Sequence, residues 1–333
     1  MWVGGHDDGW RTPDDTPAPG IDVVSRRLAP WLNGRTVLDV QLMAGGLINR
    51  NCRVRVSGMP AACVFRLYDR DRSAAAKELA ILRLLRRDVP VPEVLFANTA
   101  PADNEPPFLL LELVNGTSLA EVSRGSDRDA IAAAAYDAGR LLARLQTHRF
   151  TRPGLLTADL VVDSTGLPEP LTTTSLVAHF AASPTFTSRV GVRLTDDLLR
   201  AAQGWDDHPR APAMPTTLAH GDFNRRNVLV AGSGGACRVS AILDWEFAFA
   251  GSAYCDVGNF LRHEPADRPR FEPWFSRGLM DTGVALDGDW RLAAQIVDLP
   301  ALCELLSRAS TPADTVSEIA ALVTETLRQA ARR

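Results

Sequence analysis

The chain has 333 residues and a formal net charge of −4 at pH 7. Hydrophobic residues make up 46% and charged residues 23%, so the chain is too apolar for wholesale disorder and has the composition of a folded globular protein. Its length allows two lobes and a sizeable core. A pI near 5.9 argues against a surface that binds nucleic acid through its phosphates.

Lysine is almost absent from the chain. The sequence has 36 lysines and arginines together, and only Lys77 is a lysine. GC-rich codon usage is the simplest cause. Whatever its cause, the scarcity of lysine limits the chemistry of the protein. Any reaction that needs a permanently cationic side chain must use Lys77 or an arginine.

The cysteines and the N-terminus predict a reduced, cytoplasmic protein. Five cysteines lie far apart, with neither a CxxC pair nor metal-site spacing, and we expect core thiols. The first residues lack the basic and apolar segments of a secretory signal. No apolar run approaches the length of a membrane span, so we expect no membrane contact.

The first third of the chain predicts a small lobe of strands around one helix. Residues 1–19 are rich in Asp, Pro and Gly, and we expect a loosely ordered tail. Within residues 20–113, the segments VLDVQLM, CRVRV and CVFRLY alternate apolar and polar positions as strands do. A helix is predicted from Ser73 to about Arg87. The apolar segment FLLLELVNG predicts a buried strand that ends in a hinge.

Residues 114–333 predict a larger lobe that is mostly helical. The segment DRDAIAAAAYDAGRLLARLQTH is amphipathic, and further helices are predicted near residues 192–203, 290–308 and 312–332. The fold class is therefore α+β, with a small antiparallel-sheet lobe, a larger helical lobe and one narrow crossing between them. This organisation is typical of an enzyme with its site in a cleft.

Residues 218–246 carry the most informative pattern. VLV, a Gly-rich turn and RVSAIL predict a β-hairpin, which brings Asn227 and Asp244 to the same end. Asp222 precedes Asn227 on the same loop. Two carboxylates and an amide supply oxygen ligands that suit Mg²⁺ better than zinc. A carboxylate free of metal could accept a hydroxyl proton. The alternative is that these residues only cap turns, which explains Asp222 alone better than it explains the whole spacing.

The segment HGDFNRRN, followed by ILDWE, resembles the catalytic loop and metal-binding segment of the aminoglycoside phosphotransferase family. That family is similar in fold to protein kinases and choline kinases. Its pattern is His-x-Asp-x-x-x-x-Asn with an Asp after a short hairpin, and His220, Asp222, Asn227 and Asp244 match it. The resemblance implies that Asp222 is the catalytic base, that Asn227 and Asp244 bind Mg²⁺, and that His220 braces the loop.

A glycine turn near the start of the small lobe is a candidate phosphate-binding loop. Gly45 and Gly46 lie between two predicted strands, where backbone N–H groups could approach phosphates. Two glycines in a hairpin turn are usually structural. The segment is nevertheless similar to the family's GG-x-x-N nucleotide loop, which includes Asn49.

Glu78 requires a buried cationic partner if the predicted helix is correct. A helical wheel places Glu78 in the middle of the apolar stripe and Lys77 at its edge. Burying a carboxylate unpaired is expensive, and Arg66 in the strand VFRLY is the natural partner. The resemblance implies that this pair positions phosphates. The alternative is a solvated Glu78 on a wrongly predicted helix.

Two further roles follow from the resemblance, and a third is an additional hypothesis for an arginine of the HGDFNRRN loop. The backbone from Glu112 to Val114 would bond the adenine edge. Asp256 would brace the catalytic loop, although an N-cap of the next helix is an equal alternative. Arg225 would add positive charge near the γ-phosphate.

The sequence does not decide between two kinds of acceptor. Between Glu264 and Glu304 we count eight carboxylates against four arginines, an excess that suits a polycationic aminoglycoside. Phe271, Trp274 and Phe275 could instead build a flatter, less charged pocket.

The sequence thus predicts transfer of the γ-phosphoryl group of ATP, or GTP, to a hydroxyl of a small molecule, with an aminoglycoside-like acceptor favoured. The alternatives are an amino alcohol, macrolide or sugar acceptor, or a catalytically silent nucleotide-binding module. Mg²⁺ is the expected cofactor. The pattern carries no prediction of oligomeric state.

Overall fold

The computed structural model describes residues 17–43, 49–101, 105–206, 216–264, 270–286 and 288–332. Gly45 and Gly46 lie outside the described residues, and so does most of the predicted tail. None of the described helices is both long and apolar enough to cross a membrane.

The first lobe is built on a five-stranded antiparallel sheet with the strand order β1-β2-β3-β5-β4. Its strands are β1 (Val37–Leu42), β2 (Arg50–Val56), β3 (Cys63–Leu67), β4 (Val94–Asn98) and β5 (Phe108–Glu112). The alternating segments of the sequence form β1, β2 and β3 as predicted, and FLLLE forms β5. The predicted helix is α2 (Arg72–Leu85), which Asp71 caps by accepting a hydrogen bond from Ser73 N.

Strand β5 is apolar from Phe108 to Leu111 because helices cover both faces of the sheet. Phe108 and Leu110 pack in one cluster with α1 (Ile21–Leu32), whereas Leu109 and Leu111 face the cluster that contains α2. The sequence analysis, which predicts one helix in this lobe, misses α1. Its Gly20 N-cap supplies no side-chain hydrogen bond and Pro30 lies inside it, so local signals are weak. Burial of Val24, Leu28 and Leu32 against the sheet stabilises it instead.

The second lobe combines two small sheets with helices. The helices are α3 (Leu119–Val122), α4 (Arg128–Leu145), α5 (Thr173–Ala181), α6 (Pro184–Val190), α7 (Val192–Ala202), α8 (Tyr254–Leu261), α9 (Glu272–Asp281), α10 (Trp290–Ser307) and α11 (Ala313–Ala330). The strands are β6 (Thr117–Ser118), β7 (Gly154–Leu156), β8 (Val162–Asp163), β9 (Thr217–Ala219), β10 (Val228–Ala231), β11 (Arg238–Ile242) and β12 (Phe249–Gly251). The sheet orders are β11-β10-β6 and β8-β7-β12-β9. The helices predicted near 192–203, 290–308 and 312–332 are α7, α10 and α11.

One hydrophobic core runs between the lobes. The cluster around α2 continues through α4, α8 and α9, and it contains Phe223 and Trp245 from the segments that flank the hairpin. Helices α5, α6, α7, α10 and α11 form a separate apolar cluster. The candidate catalytic loop therefore stands on the central core, with the helical cluster beside it.

Helices α4 and α9 touch backbone to backbone at two glycines. A Cβ at Gly139 would lie 2.1 Å from Phe275 O, and a Cβ at Gly278 would lie 2.1 Å from Tyr136 O. Any larger side chain at either position must push the helices apart, because helix backbone cannot move aside as a flexible side chain does.

We predict that Gly278→Ala lowers the free energy of unfolding by about 1–3 kcal/mol through overpacking. The matched control is Gly235→Ala, where a new Cβ meets nothing within 4 Å. Urea unfolding of both variants gives the comparison. Equal midpoints for Gly278→Ala and the control would contradict this prediction.

Candidate active site

The hairpin brings the predicted metal-binding residues to one end. Strands β10 and β11 pair antiparallel, with Val228 opposite Ile242. One step further, Leu243 N donates to Asn227 O at 2.8 Å. Asn227 and Asp244 therefore lie next to each other at the open end of the hairpin. Asp244 has a φ of 69°, a left-handed conformation that is uncommon for residues other than glycine and that aspartate adopts more readily than most.

Three amide side chains surround the Asp222 carboxylate. Asn224 Nδ2 donates to Asp222 Oδ1 and Asn227 Nδ2 to Asp222 Oδ2, each at 2.9 Å. Asn259 Nδ2 of α8 lies 3.4 Å from Asp222 Oδ1. Burial and the neighbouring charge of Asp244 raise the pKa of Asp222, although the hydrogen bond from Asn224 opposes the rise. The carboxylate is thus held in one orientation and made more basic than an exposed aspartate.

His220 and Asp256 hold the backbone of the loop. Asp256 accepts hydrogen bonds from His220 N at 2.7 Å and Gly221 N at 3.0 Å. Asp256 lies within α8, whose N-cap is Ala253, so the N-cap alternative is wrong. Gly221 has a φ of 79°, and a Cβ there would lie 2.4 Å from Phe247 O. Burial raises the pKa of Asp256 to about 7.

The His220 ring has one tautomer that satisfies both of its contacts. Its Nδ1 lies 3.2 Å from Asp222 N, which can only donate. Nδ1 must therefore accept, so Nε2 carries the proton and donates to Leu243 O at 2.9 Å. The ring links the catalytic loop to the residue before Asp244. Burial lowers the pKa of His220 to about 4, so the imidazole is neutral at pH 7.

Arg66 lies among three carboxylates. Its Nε is 3.2 Å from Glu78 Oε2, at ion-pair distance but without hydrogen-bond geometry. Its Nη2 contacts Asp244 Oδ1 and lies 3.4 Å from Glu246 Oε1. The Arg66 side chain is 8% exposed and that of Glu78 is 2% exposed, so the solvated alternative for Glu78 is wrong. Strand β3, helix α2 and the end of the hairpin meet at this guanidinium.

The carboxylates of this cluster respond differently to burial. Burial and the charge of Asp244 raise the pKa of Glu246 well above its ordinary value, with Arg66 acting against the rise. Burial likewise raises the pKa of Glu78 against the effect of Arg66. Burial also acts to raise the pKa of Asp244, but the ion pair and hydrogen bond with Arg66 outweigh it and leave the pKa lowered. Asp244 is therefore the one carboxylate of these three whose pKa is lowered, so it is ionised at neutral pH.

Tyr68 and Glu246 belong to the site although no sequence pattern singles them out, whereas Asn49 is one of the predicted nucleotide-loop residues. Tyr68 Oη donates to Glu78 Oε2 at 2.6 Å, and Asn49 Nδ2 donates to Glu246 Oε2 at 2.9 Å. Asn49 Oδ1 is buried and has no hydrogen-bond partner among the residues that the structure describes. Glu246 follows Asp244 by two residues. Its acidic side chain within the segment ILDWE is the one feature of the sequence that could have indicated a place in the site.

The predicted hinge has one backbone donor already in use. Glu112 N donates to Glu93 O at 2.8 Å at the end of β5. A base edge could therefore use the Glu112 carbonyl or the backbone of Val114, but not the Glu112 N–H. The adenine contact stays a prediction.

Arg225 lies against Phe271 and Glu264. Its guanidinium stands 4.6 Å from the Phe271 ring centroid, and its Nη1 lies 3.5 Å from Glu264 Oε2. Burial lowers the pKa of Arg225, with Glu264 opposing the shift. Its predicted contact with the γ-phosphate stays a prediction.

The three aromatic residues proposed for a flat acceptor pocket do not form one. Phe271 and Phe275 are buried and pack around Phe260, whereas Trp274 is 49% exposed. The run RFEPWFSRG is an amphipathic helix start in which two aromatic rings belong to the central core.

Arginines neutralise most of the carboxylates counted on the acceptor side. Five of the eight form ion pairs: Glu264–Arg225, Glu272–Arg291, Asp281–Arg277, Asp298–Arg262 and Glu304–Arg308. Asp267 and Asp287 lie outside the described residues. The excess negative charge that favours a polycationic acceptor is therefore much smaller in the fold than in the sequence.

The donor set at the hairpin end suits Mg²⁺. Asn227 Nδ2 donates to the Asp222 carboxylate and also lies 3.0 Å from the backbone oxygen of Asp222. The Oδ1 atom of Asn227 is therefore turned away from Asp222. Asp244 is ionised, and its side chain is 30% exposed. Over the described ranges, no group of three or more His, Cys, Asp and Glu forms a metal site. One carboxylate and one amide match a magnesium ion that takes its other ligands from phosphates and water.

We predict an acid-sensitive contribution of His220 to stability. Its pKa is about 4 when folded and near 6.5 in an unperturbed imidazole, so between these values the unfolded chain binds more protons. Stability from this residue is present above pH 6.5 and lost as the pH falls toward 4. From pH 7 to 4.5, wild type should lose about 1–3 kcal/mol more free energy of unfolding than His220→Gln.

Urea unfolding at several pH values measures this difference. Asp256 has a raised pKa, so its contribution to stability has the opposite sign, but it is common to both proteins and cancels. A difference between wild type and His220→Gln that does not change with pH would contradict the prediction.

Solved structures with the same fold are aminoglycoside phosphotransferases and related kinases. A GDP complex of a mutant of aminoglycoside 2'-phosphotransferase-IIIa has a TM-score of 0.68 and 19% identity, over 93% of this chain and 98% of that one. A thermostable mutant of aminoglycoside phosphotransferase APH(4)-Ia, in a ternary complex with ADP and hygromycin B, has a TM-score of 0.61 and 15% identity, over 92% and 97%.

A protein from Thermobifida fusca YX-ER1 assigned as a fructosamine-3-kinase has a TM-score of 0.61 and 20% identity, over 94% of this chain and 100% of that one. No protein with curated annotation matches the sequence significantly. The profile of the phosphotransferase enzyme family, APH, matches residues 39–292, which is most of the chain. The chain therefore belongs to this phosphotransferase family, with the α+β, protein-kinase-like fold that the sequence predicts.

Proposed function

We propose that this phosphotransferase moves the γ-phosphoryl group of ATP, or GTP, to a hydroxyl of a small molecule. The observation that carries the proposal is the position of Asp222. Its buried, amide-held carboxylate stands beside an ionised Asp244 and the buried cation Arg66. A base, a cation ligand and a phosphate partner are the parts that phosphoryl transfer needs in one place.

Asp222 is the proposed catalytic base. Burial and the charge of Asp244 raise its pKa, which makes the carboxylate a stronger base than an exposed aspartate. The acceptor O–H gives its proton to Asp222 as its oxygen bonds to the γ-phosphorus. The bond from that phosphorus to the bridging oxygen breaks, and the nucleoside diphosphate leaves.

Arg66 is the proposed phosphate-positioning residue. Glu78 and Glu246 fix the guanidinium from two sides, and an arginine fork binds phosphate oxygens in a bidentate way. Asn49 ties the end of the proposed glycine loop to the same cluster through Glu246. Gly45 and Gly46 are proposed to cover the phosphates, with the backbone at Glu112 and Val114 next to the base.

Asn227 and Asp244 would hold Mg²⁺, which supplies neutralisation of phosphate charge when it is bound. His220 and Asp256 act on these groups indirectly, by holding the loop backbone. The solved relatives named above support a nucleotide co-substrate, since two of them are complexes with GDP or ADP. A catalytically silent module has no evident need for the amide-held Asp222 beside an ionised Asp244.

We predict that Asp222→Asn lowers kcat by about 10²–10⁴-fold, because the amide cannot accept the proton. Binding of ATP, measured by calorimetry, should change little. The matched control is Asp197→Asn on α7, a carboxylate that is 43% exposed and pairs with Arg200. Turnover retained by Asp222→Asn in a coupled assay for ADP would refute the assigned role.

We predict that Arg66→Lys lowers kcat/KM for ATP by about tenfold. A lysine keeps the charge, but one ammonium cannot contact Glu78 on one side and Asp244 and Glu246 on the other. The KM for the acceptor should stay unchanged. Arg53→Lys, at an exposed position of β2, is the control, and an unchanged kcat/KM for ATP in Arg66→Lys would count against the positioning role.

A further inference from the structure

A cavity of about 490 Å³ lies between the β8-β7-β12-β9 sheet and the helical cluster. One wall is formed by strands β7 and β12, and the other by the start of α5 and the first half of α10. Its volume is in the range of about 300–1,000 Å³ that small-molecule sites occupy. Neither Asp222 nor Asn227 is among the described residues that line it, so the cavity lies apart from the site described above.

The lining is mostly apolar and carries no positive charge. The apolar part includes Leu176, Trp205, Phe249 and Ile296. Among the described lining residues there is no lysine, arginine or histidine, and the charged groups are Asp206 and Asp289. Asp206 accepts hydrogen bonds from Thr173 N and Thr174 N at the start of α5. This chemistry disfavours an anion and suits an apolar molecule that is neutral or carries one ammonium group.

The carboxylates counted on the acceptor side offer little to a polycation, and of those that the structure describes only Asp289 lines this cavity. An aminoglycoside presents several ammonium groups, each of which needs a carboxylate or other acceptor when it leaves water. Five acceptor-side carboxylates already pair with arginines, as described above. An additional cationic ligand would have to compete with those guanidinium groups.

Helix α8 connects the cavity to Asp222. Cys255 lines the cavity and is partly exposed, whereas the other four cysteines are buried. Asn259 lies one turn further along, about 6 Å up the helix axis, on the same face. Its Nδ2 is 3.4 Å from Asp222 Oδ1. One turn of α8 thus separates a residue that lines the cavity from a residue beside the base.

We propose that this cavity holds the apolar body of the acceptor, with its hydroxyl extending along α8 to Asp222. The inference rests on the proposed function and names its substrate class: a neutral or singly cationic alcohol with a largely apolar body. Polyaminated sugars do not fit this class.

Binding is tested first, without turnover, on the full chain. The probe is N-phenyl-1-naphthylamine, which is neutral and fluoresces in apolar surroundings, and its anionic counterpart is 8-anilinonaphthalene-1-sulfonate. We expect saturable binding of the neutral probe with one site, and about tenfold weaker binding of the anion. Equal affinity for both probes, or no saturable site, would overturn the proposal.

Filling the cavity locates the probe. Ala293, on α10, lines the cavity, and Ala293→Phe should weaken binding of the neutral probe about tenfold or more. Ala293→Leu is a milder filling for use if the phenylalanine variant does not fold, as judged by its melting temperature. The matched control is Ala321→Phe, at an exposed position of α11, which should bind as wild type does. Binding that survives both fillings would overturn the proposal.

Turnover then separates this inference from the proposed function. ADP release is measured with a panel of neutral and monoamine aryl alcohols, such as propranolol, and with kanamycin. We expect transfer to members of the first class, and a KM for them about tenfold higher in Ala293→Phe with the KM for ATP unchanged. Transfer to kanamycin alone, insensitive to Ala293→Phe, would overturn the substrate class and leave the proposed function standing. If no alcohol accepts phosphate in a reaction that depends on Asp222, the proposed function is overturned. The acceptor role of the cavity is then overturned with it, even if the cavity still binds the probe.

Discussion

The buried guanidinium of Arg66 is the interaction on which the site depends. It comes from the central sheet of the first lobe, and its partners come from α2 and from the segment after the hairpin of the second lobe. Removing one partner of such a cluster leaves an uncompensated buried charge, so the three segments are held together electrostatically as well as by packing. Tyr68 and the backbone of Trp245 add hydrogen bonds to Glu78 at the same point. The two lobes therefore meet at the atoms where phosphate is proposed to bind.

The catalytic loop is positioned by a different means. Asp256 and His220 hold its backbone through buried hydrogen bonds, and the His220 ring lies 4.4 Å from the Trp245 ring by centroid distance. The loop thus stands on the central hydrophobic core rather than on the sheet of the first lobe. The two supports meet in residues 243–246, because His220 contacts Leu243 and Trp245 while Arg66 pairs with Asp244. The orientation of Asp222 is therefore coupled to the Arg66 cluster.

The sequence predicts the parts of the site that local rules govern. Strand alternation locates Arg66, helical periodicity places Glu78 on a buried face, and hairpin geometry brings Asn227 to Asp244. Asn259 and Glu246 could not be predicted in the same way, because their partners come from distant segments and an isolated Asn or Glu has no distinguishing pattern. Helix α1 lacks a capping side chain, and only tertiary burial reveals it. A count of carboxylates on the acceptor side does not show which arginines fold against them, so the sequence overstates the unpaired negative charge there.

Lys77 lies on the helix that carries Glu78, with its side chain almost fully withdrawn from water. Burial lowers its pKa, with Asp71 and Glu246 opposing the shift. The remaining basic side chains, apart from six histidines, are guanidinium groups that keep their protons far into the alkaline range. The surface therefore lacks the amines that titrate near pH 10 in most proteins. Its net charge should vary little under mildly alkaline conditions, and amine-directed coupling reagents would find almost no side chain to modify.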